Sequence, residues 1–182
     1  MKFYTKLQDW LAGPFSQKMQ KFMQNPYMHA LQVCFTIILP MIMVGSLASL
    51  VNTFRNFAPW LPDLSLINSF SFGLISIFMA FLIPYTIMES KKLQKQKMIT
   101  GFASVSALIA LANPQYVDGN LVINSGYVGT GGMTVAMVMG LVIGWLFSAY
   151  FKHGLFKKNS SLPSVVVVWF ESILIIFVLI LV

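Results

Sequence analysis

Residues 31–51 read Leu-Gln-Val-Cys-Phe-Thr-Ile-Ile-Leu-Pro-Met-Ile-Met-Val-Gly-Ser-Leu-Ala-Ser-Leu-Val, without a single charge. An α-helix rises ~1.5 Å per residue, so a run of this length covers the ~30 Å hydrocarbon core of a bilayer. Four more apolar stretches follow it, at 64–88, 98–117, 128–151 and 163–182, the last interrupted only by Glu171. The pattern predicts an all-α, polytopic membrane protein: five transmembrane helices forming one domain over 26–182, preceded by a separate segment at 1–25. Composition agrees, since only 9% of the 182 residues are charged and 57% are hydrophobic. A soluble domain carries about 25% charged residues, so a water-soluble globular enzyme is excluded, and so is a disordered chain. Cys34 is the sole cysteine, which excludes an internal disulfide framework.

The charges between these runs set an orientation. Lys2, Lys6, Lys18 and Lys21 precede the first run. Lys91, Lys92, Lys95 and Lys97 separate the second from the third, and Lys152, Lys157 and Lys158 separate the fourth from the fifth. The opposite side holds only Arg55. Basic residues are retained on the cytoplasmic side of a membrane, so the N-terminus is expected in the cytoplasm and the end of the fifth helix outside. The net charge of +7 is then an orientation signal rather than a nucleic-acid signal. The first 21 residues lack the uninterrupted apolar core of a cleavable signal peptide, and the first span is expected to serve as the insertion signal.

Within 1–25, Phe3, Leu7, Trp10 and Leu11 fall on one helical stripe, and Phe15, Met19, Phe22 and Met23 repeat it after Gly13-Pro14. Two short amphipathic helices on the cytoplasmic membrane surface are expected; capping of the bundle is the alternative. Asn25-Pro26 reads as a helix start. Pro40 and Pro84 interrupt the first two spans. Each removes one backbone hydrogen bond, and Thr36, Ser46 and Thr86 are placed to satisfy the freed carbonyls.

Small residues supply the packing signal. Gly132, Ala136, Gly140, Gly144 and Ser148 recur every four positions, a face suited to close helix packing or dimerisation. Ser69, Gly73, Ser76 and Ala80, and then Gly101, Ser104, Ala107 and Ala110, mark shorter stripes. The third loop opens at Asn113-Pro114. Its Asp118-Gly119-Asn120 turn, flanked by β-formers, permits a small hairpin. Its glycines at 126–132 lack the Lys-Ser/Thr of a phosphate loop and read as an entry into the fourth span.

Glu171, inside the fifth run, is the intramembrane polar candidate for a functional site, because a carboxylate there is costly to bury. A protonated or helix-paired structural role is the alternative. His29 and Gln32 read as boundary residues and Cys34 as a small packing residue. No metal cluster, nucleophile–base pair or pair of carboxylates suggests catalysis, so no catalytic residue, cofactor or metal is expected.

Leu39-Pro40-Met41-Ile42-Met43-Val44-Gly45-Ser46 resembles the first span of the membrane permease component, enzyme IIC, of the bacterial phosphoenolpyruvate-dependent sugar phosphotransferase system, in its lactose/cellobiose/diacetylchitobiose group. Gly126-Tyr127-Val128-Gly129-Thr130-Gly131-Gly132-Met133-Thr134-Val135-Ala136 is similar to that group's "LG-x-x-G-[LI]-F-x-A". Leu162-Pro163-Ser164-Val165-Val166 with Phe170-Glu171 is similar to its "VPPAV…SFE". The family's "A-I-R-D-G-F" appears as Ala30-Leu31-Gln32-Val33-Cys34-Phe35, without the Arg-Asp pair; Ser164 replaces the second proline of "VPP"; Ile175 stands where a later proline is common. The resemblance covers the N-terminal half of the family's permease. It implies a scaffold and dimerisation half in the bacterial cytoplasmic membrane, serving transport of a cellobiose- or lactose-type disaccharide. Implied partners are lipid, a second copy, a C-terminal IIC half or full-length permease, and cytoplasmic IIB and IIA subunits that carry the phosphoryl group. The family's sugar-binding residues belong to the other half, so none transfers here. A stand-alone membrane interaction protein derived from that scaffold is the alternative.

Overall fold

In the computed structural model the described residues are 15–153, with Gly13, Ile173 and Phe177 besides. Glu171, almost all of the predicted fifth span and the first amphipathic stripe lie outside them. Helix α1 is Ser16–Met23, α2 is Pro26–Phe54, α3 is Ser65–Ser71, α4 is Ile75–Ser90 and α5 is Lys97–Leu111. Strands β1, Gln115–Val117, and β2, Asn120–Val122, form an antiparallel hairpin. A four-residue helix, α6 (Ser125–Val128), and a 3-10 turn lead into α7, Met133–His153.

The start of α2 follows from its first two residues. Asn25 is extended and its side-chain oxygen accepts the Tyr27 N–H at 3.0 Å, while Pro26 opens the helix. Proline has no N–H to leave unpaired there. Three helical runs are long and apolar enough to cross a membrane: Pro26–Phe54, Ser65–Ser90 and Thr130–Lys152. The run expected at 98–117 is shorter than that. Helix α5 stops at Leu111 and has 15 residues. Asn113 takes a left-handed φ of 48°, and a following proline disfavours helix at the residue before it. Residues 115–117 pair with β2 instead, Tyr116 opposite Leu121. The connecting Asp118 and Gly119 both have positive φ, 50° and 79°. Two such residues make a type I′ turn, whose twist matches that of the strands.

The second run is also interrupted. It divides into α3 and α4 at Phe72–Leu74, where the backbone is wound so tightly that a Cβ on Gly73 would lie 2.1 Å from the Ser69 carbonyl oxygen. Gly73 therefore works as a backbone joint as well as a small residue. The hydroxyls expected to satisfy the carbonyls freed by Pro40 and Pro84 do something else. Thr36 donates to Gln32, Ser46 to Met43 and Thr86 to Leu82, each at 2.9 Å. A hydroxyl has one hydrogen, and each of these is spent on its own helix, away from the Thr36 and Ala80 carbonyls.

Helix α4 sits at the centre and packs on α2, α5 and α7. Ile75, Met79, Ala80, Ile83, Pro84 and Ile87 are buried along it. Helix α2 contributes the stripe Ala30, Cys34, Ile38, Gly45 and Ala48, so Cys34 is a buried packing residue as its size suggests. Much of the remaining surface of α2 is apolar and exposed, including Ile37, Leu39, Met43, Val44 and Leu47.

Candidate functional site

Each residue of the small stripe, Gly132 in the 3-10 turn and the other four on α7, is buried. It is filled from within the same chain. A Cβ on Gly140 would lie 3.0 Å from Ile83 and 3.2 Å from the Pro84 ring; one on Gly144 would lie 2.6 Å from Ile87 and 3.3 Å from the Pro84 Cα. The glycines make room for the Ile83, Pro84 and Ile87 side chains of α4 to seat against the α7 backbone, a close packing held by dispersion contacts. At the far end of the same contact, Ser76 donates to the Gly129 carbonyl oxygen at 2.5 Å. This bond joins the start of α4 to the glycine-rich entry of α7, both buried.

The opposite end of the bundle carries the site with the most chemical character. Helix α4 finishes in a Schellman motif. Leu93 N–H donates to Met88 carbonyl at 2.9 Å, Lys92 N–H donates to Glu89 carbonyl at 3.0 Å, and Lys92 has a φ of 63°. Leu93 packs beside Met88, the apolar contact that accompanies such ends. The motif turns the chain so that Lys91, the last capping residue, reaches two other helices. Its Nζ donates to Tyr27 Oη at 2.6 Å, in the first turn of α2, and to Ser148 Oγ at 2.7 Å on α7. Ser148 in turn donates to the Trp145 carbonyl at 2.9 Å, so its oxygen faces the ammonium with lone pairs. One lysine thus ties three helix ends together.

Both acceptors of Lys91 are neutral hydroxyls, and among the described residues no carboxylate pairs with it. The neighbouring Lys97 differs: it meets the Glu89 carboxylate at 2.8 Å. Lys91, Leu93, Trp145, Ser148, Ala149 and Lys152 line a cleft of about 450 Å³. Lys152 is exposed and Trp145 is 56% exposed. This arrangement suits an anion beside an apolar wall. It offers no nucleophile with a base, and no group of His, Cys, Asp or Glu that could hold a metal occurs among the described residues.

At the hairpin end one ion pair links the loop between α2 and α3. Arg55 and Asp63 pair at 2.9 Å and the Asp63 carboxylate accepts the Ser65 N–H at 2.9 Å. The hydrogen bonds from Ser65, and then the Arg55 guanidinium, hold the Asp63 carboxyl below the usual carboxylate range. His29 and Gln32 are exposed at the α1–α2 junction. The sequence points to the small stripe, which the fold brings together, and to Glu171, which lies outside the described residues. It does not single out Lys91. Its partners stand 64 and 57 residues away, and neither is charged. Ser148 closes the small stripe, and its position near the lysine loops was the one available signal. No protein-family model, no curated protein and no solved structure matches this chain.

Proposed function

We propose that this chain is a multi-pass membrane protein, N-terminus in the cytoplasm, and that it serves as the scaffold half of a sugar permease of the enzyme IIC type. The observation that carries the membrane part is the distribution of surfaces. Long helices present aliphatic side chains outward along their length, while Lys91, Lys92, Lys95 and Lys97 gather at one end and the hairpin closes the other. Water would penalise such an exterior, at ~25 cal/mol per Å² of apolar surface; lipid does not.

The permease part draws its support from the collinear motifs at 39–46, 126–136 and 162–171. Pro40 lies in the middle of α2, and Gly126–Ala136 leads through a tight turn into α7. The described bundle is filled by its own side chains, which suits a scaffold that positions a separate transport half. In this reading the sugar, a cellobiose- or lactose-type disaccharide, is handled by the remaining spans, and cytoplasmic IIB and IIA subunits carry the phosphoryl group. The self-filled interior equally favours the second reading, a membrane interaction protein that transports nothing itself.

One experiment tests the shared orientation and a second separates the two readings. Asp118 and Gln94 are both exposed, so single cysteines at those positions, with Cys34 replaced by serine, can be labelled in intact cells. An impermeant maleimide should label position 118 and spare 94; the reverse would sink the orientation. Uptake of radiolabelled cellobiose in a permease-null strain should require this chain together with a C-terminal IIC half. Failure of uptake with every such half, alongside co-purification with a complete permease, would favour the interaction protein.

A further inference from the structure

The Lys91 cleft is unexplained by a scaffold role alone. An ammonium offers three N–H donors, and two of those on Lys91 are taken by Tyr27 and Ser148. The charge is therefore positioned by hydroxyls and neutralised by none of them. Lys152 brings a second positive charge to the same cleft. A partly buried cation without a counter-ion costs desolvation energy, which a bound anion would return. Trp145 and Leu93 give the cleft an apolar wall, and the wall continues. Val138, Val142 and Trp145 are exposed on one face of α7, at spacings that stack them in a row leading to the two lysines.

We propose that this cleft binds a phosphate oxyanion, supplied by the headgroup of an anionic phospholipid. The headgroup would lie between Lys91 and Lys152, with an acyl chain along Val138 and Val142 and the glycerol against Trp145. A free phosphate would use the lysines and leave that row without a purpose. Basic pockets between helices at the cytoplasmic side of a membrane are suited to such headgroups. The lipid assignment rests on the membrane reading above.

The test uses the full chain purified in neutral detergent, with native mass spectrometry and thermal melting as readouts. The probes are dioleoylphosphatidylglycerol, dioleoylphosphatidylcholine and inorganic phosphate. Phosphatidylglycerol should bind and raise the melting temperature, as any ligand selective for the native state does, and phosphatidylcholine should not. Lys152→Gln, at an exposed position, should weaken phosphatidylglycerol binding about fivefold, the scale of one lysine near an anionic headgroup. Lys91→Gln should weaken it further, with its own melting curve establishing that it folds. Equal binding of the two lipids, or unchanged phosphatidylglycerol binding in a folded Lys152→Gln, would overturn the proposal. Protection by inorganic phosphate but not by phosphatidylglycerol would overturn the lipid source. A carbonate wash of native membranes reads the membrane assignment separately: release of the chain would sink that reading, while lipid selectivity in detergent is scored independently.

Discussion

Helices α2 and α4 are built from much the same residues and meet opposite fates. Both are rich in Ile, Leu, Met and Phe, and both carry an internal proline. Yet α4 is buried along most of its length and α2 along one narrow stripe. The difference lies in the size and position of neighbours, since both helices are apolar. On α2 the buried positions are mostly the small ones, Ala30, Cys34, Gly45 and Ala48, and many of the large side chains between them, such as Ile37, Met43 and Leu47, are exposed. On α4 large side chains are buried because α7 presents Gly140 and Gly144 to them. In an apolar surrounding, hydrophobicity does not choose which face packs; shape does.

The most severe way to break this contrast is to fill the α4–α7 contact. Gly144→Leu places a side chain against Ile87 and the Pro84 backbone, and overpacking of a tight core costs about 1–3 kcal/mol or more. Thermal melting in detergent should show a large loss. Leu47→Ala, on the exposed face of α2, should move the same curve by no more than about 0.5 kcal/mol. Comparable losses from the two would remove the distinction between the helices. Ser76→Ala probes the far end of the same contact. It removes one of two donors to the buried Gly129 carbonyl, which keeps the Gly132 N–H at 3.0 Å, and should cost about 0.5–1.5 kcal/mol, read as a lower melting temperature and faster proteolysis of the glycine-rich loop.

Lys92→Gly sharpens the comparison in the other direction. A left-handed residue with a Cβ is strained by about 1–2 kcal/mol, and glycine is the usual occupant of that place in a Schellman motif. The exchange should stabilise α4 by about 1 kcal/mol, seen as a higher melting temperature. The smallest effect is expected at Asp63. Its pKa is lowered in the folded state, so its contribution is present above the ordinary aspartate value of about 3.9 and is lost as pH falls through the folded value. Melting curves of Asp63→Asn and the parent should converge once the pH falls below the lowered carboxyl value and show the parent slightly more stable at neutral pH.

Much of this architecture was legible because it depends on neighbours in sequence. Asn25-Pro26 caps a helix by local hydrogen bonding, and Asp118-Gly119 makes a turn by its own φ preferences. The α7 stripe repeats at four residues and needs no partner to be seen. What was hidden depends on distant residues or on backbone detail. Counting uncharged positions carried the third run to 117, although Asn113-Pro114 already marked a break. The joint at Phe72–Leu74 has no proline and a single glycine, so charge and hydropathy pass over it. The Lys91 staple joins hydroxyls that attract no notice in a linear reading.

That joint has a mechanical meaning. Leu64 N–H is held by the Asn52 side chain at 2.9 Å, which fastens α3 to the end of α2, while α4 is clamped to α2 and α7 through Lys91 at its other extremity. Two rods linked at Gly73 do not transmit torque as one rod would. Helix α2, by contrast, runs unbroken from the Arg55 loop to Tyr27, so α2 rather than the α3–α4 pair is the continuous link between the hairpin end and the Lys91 staple.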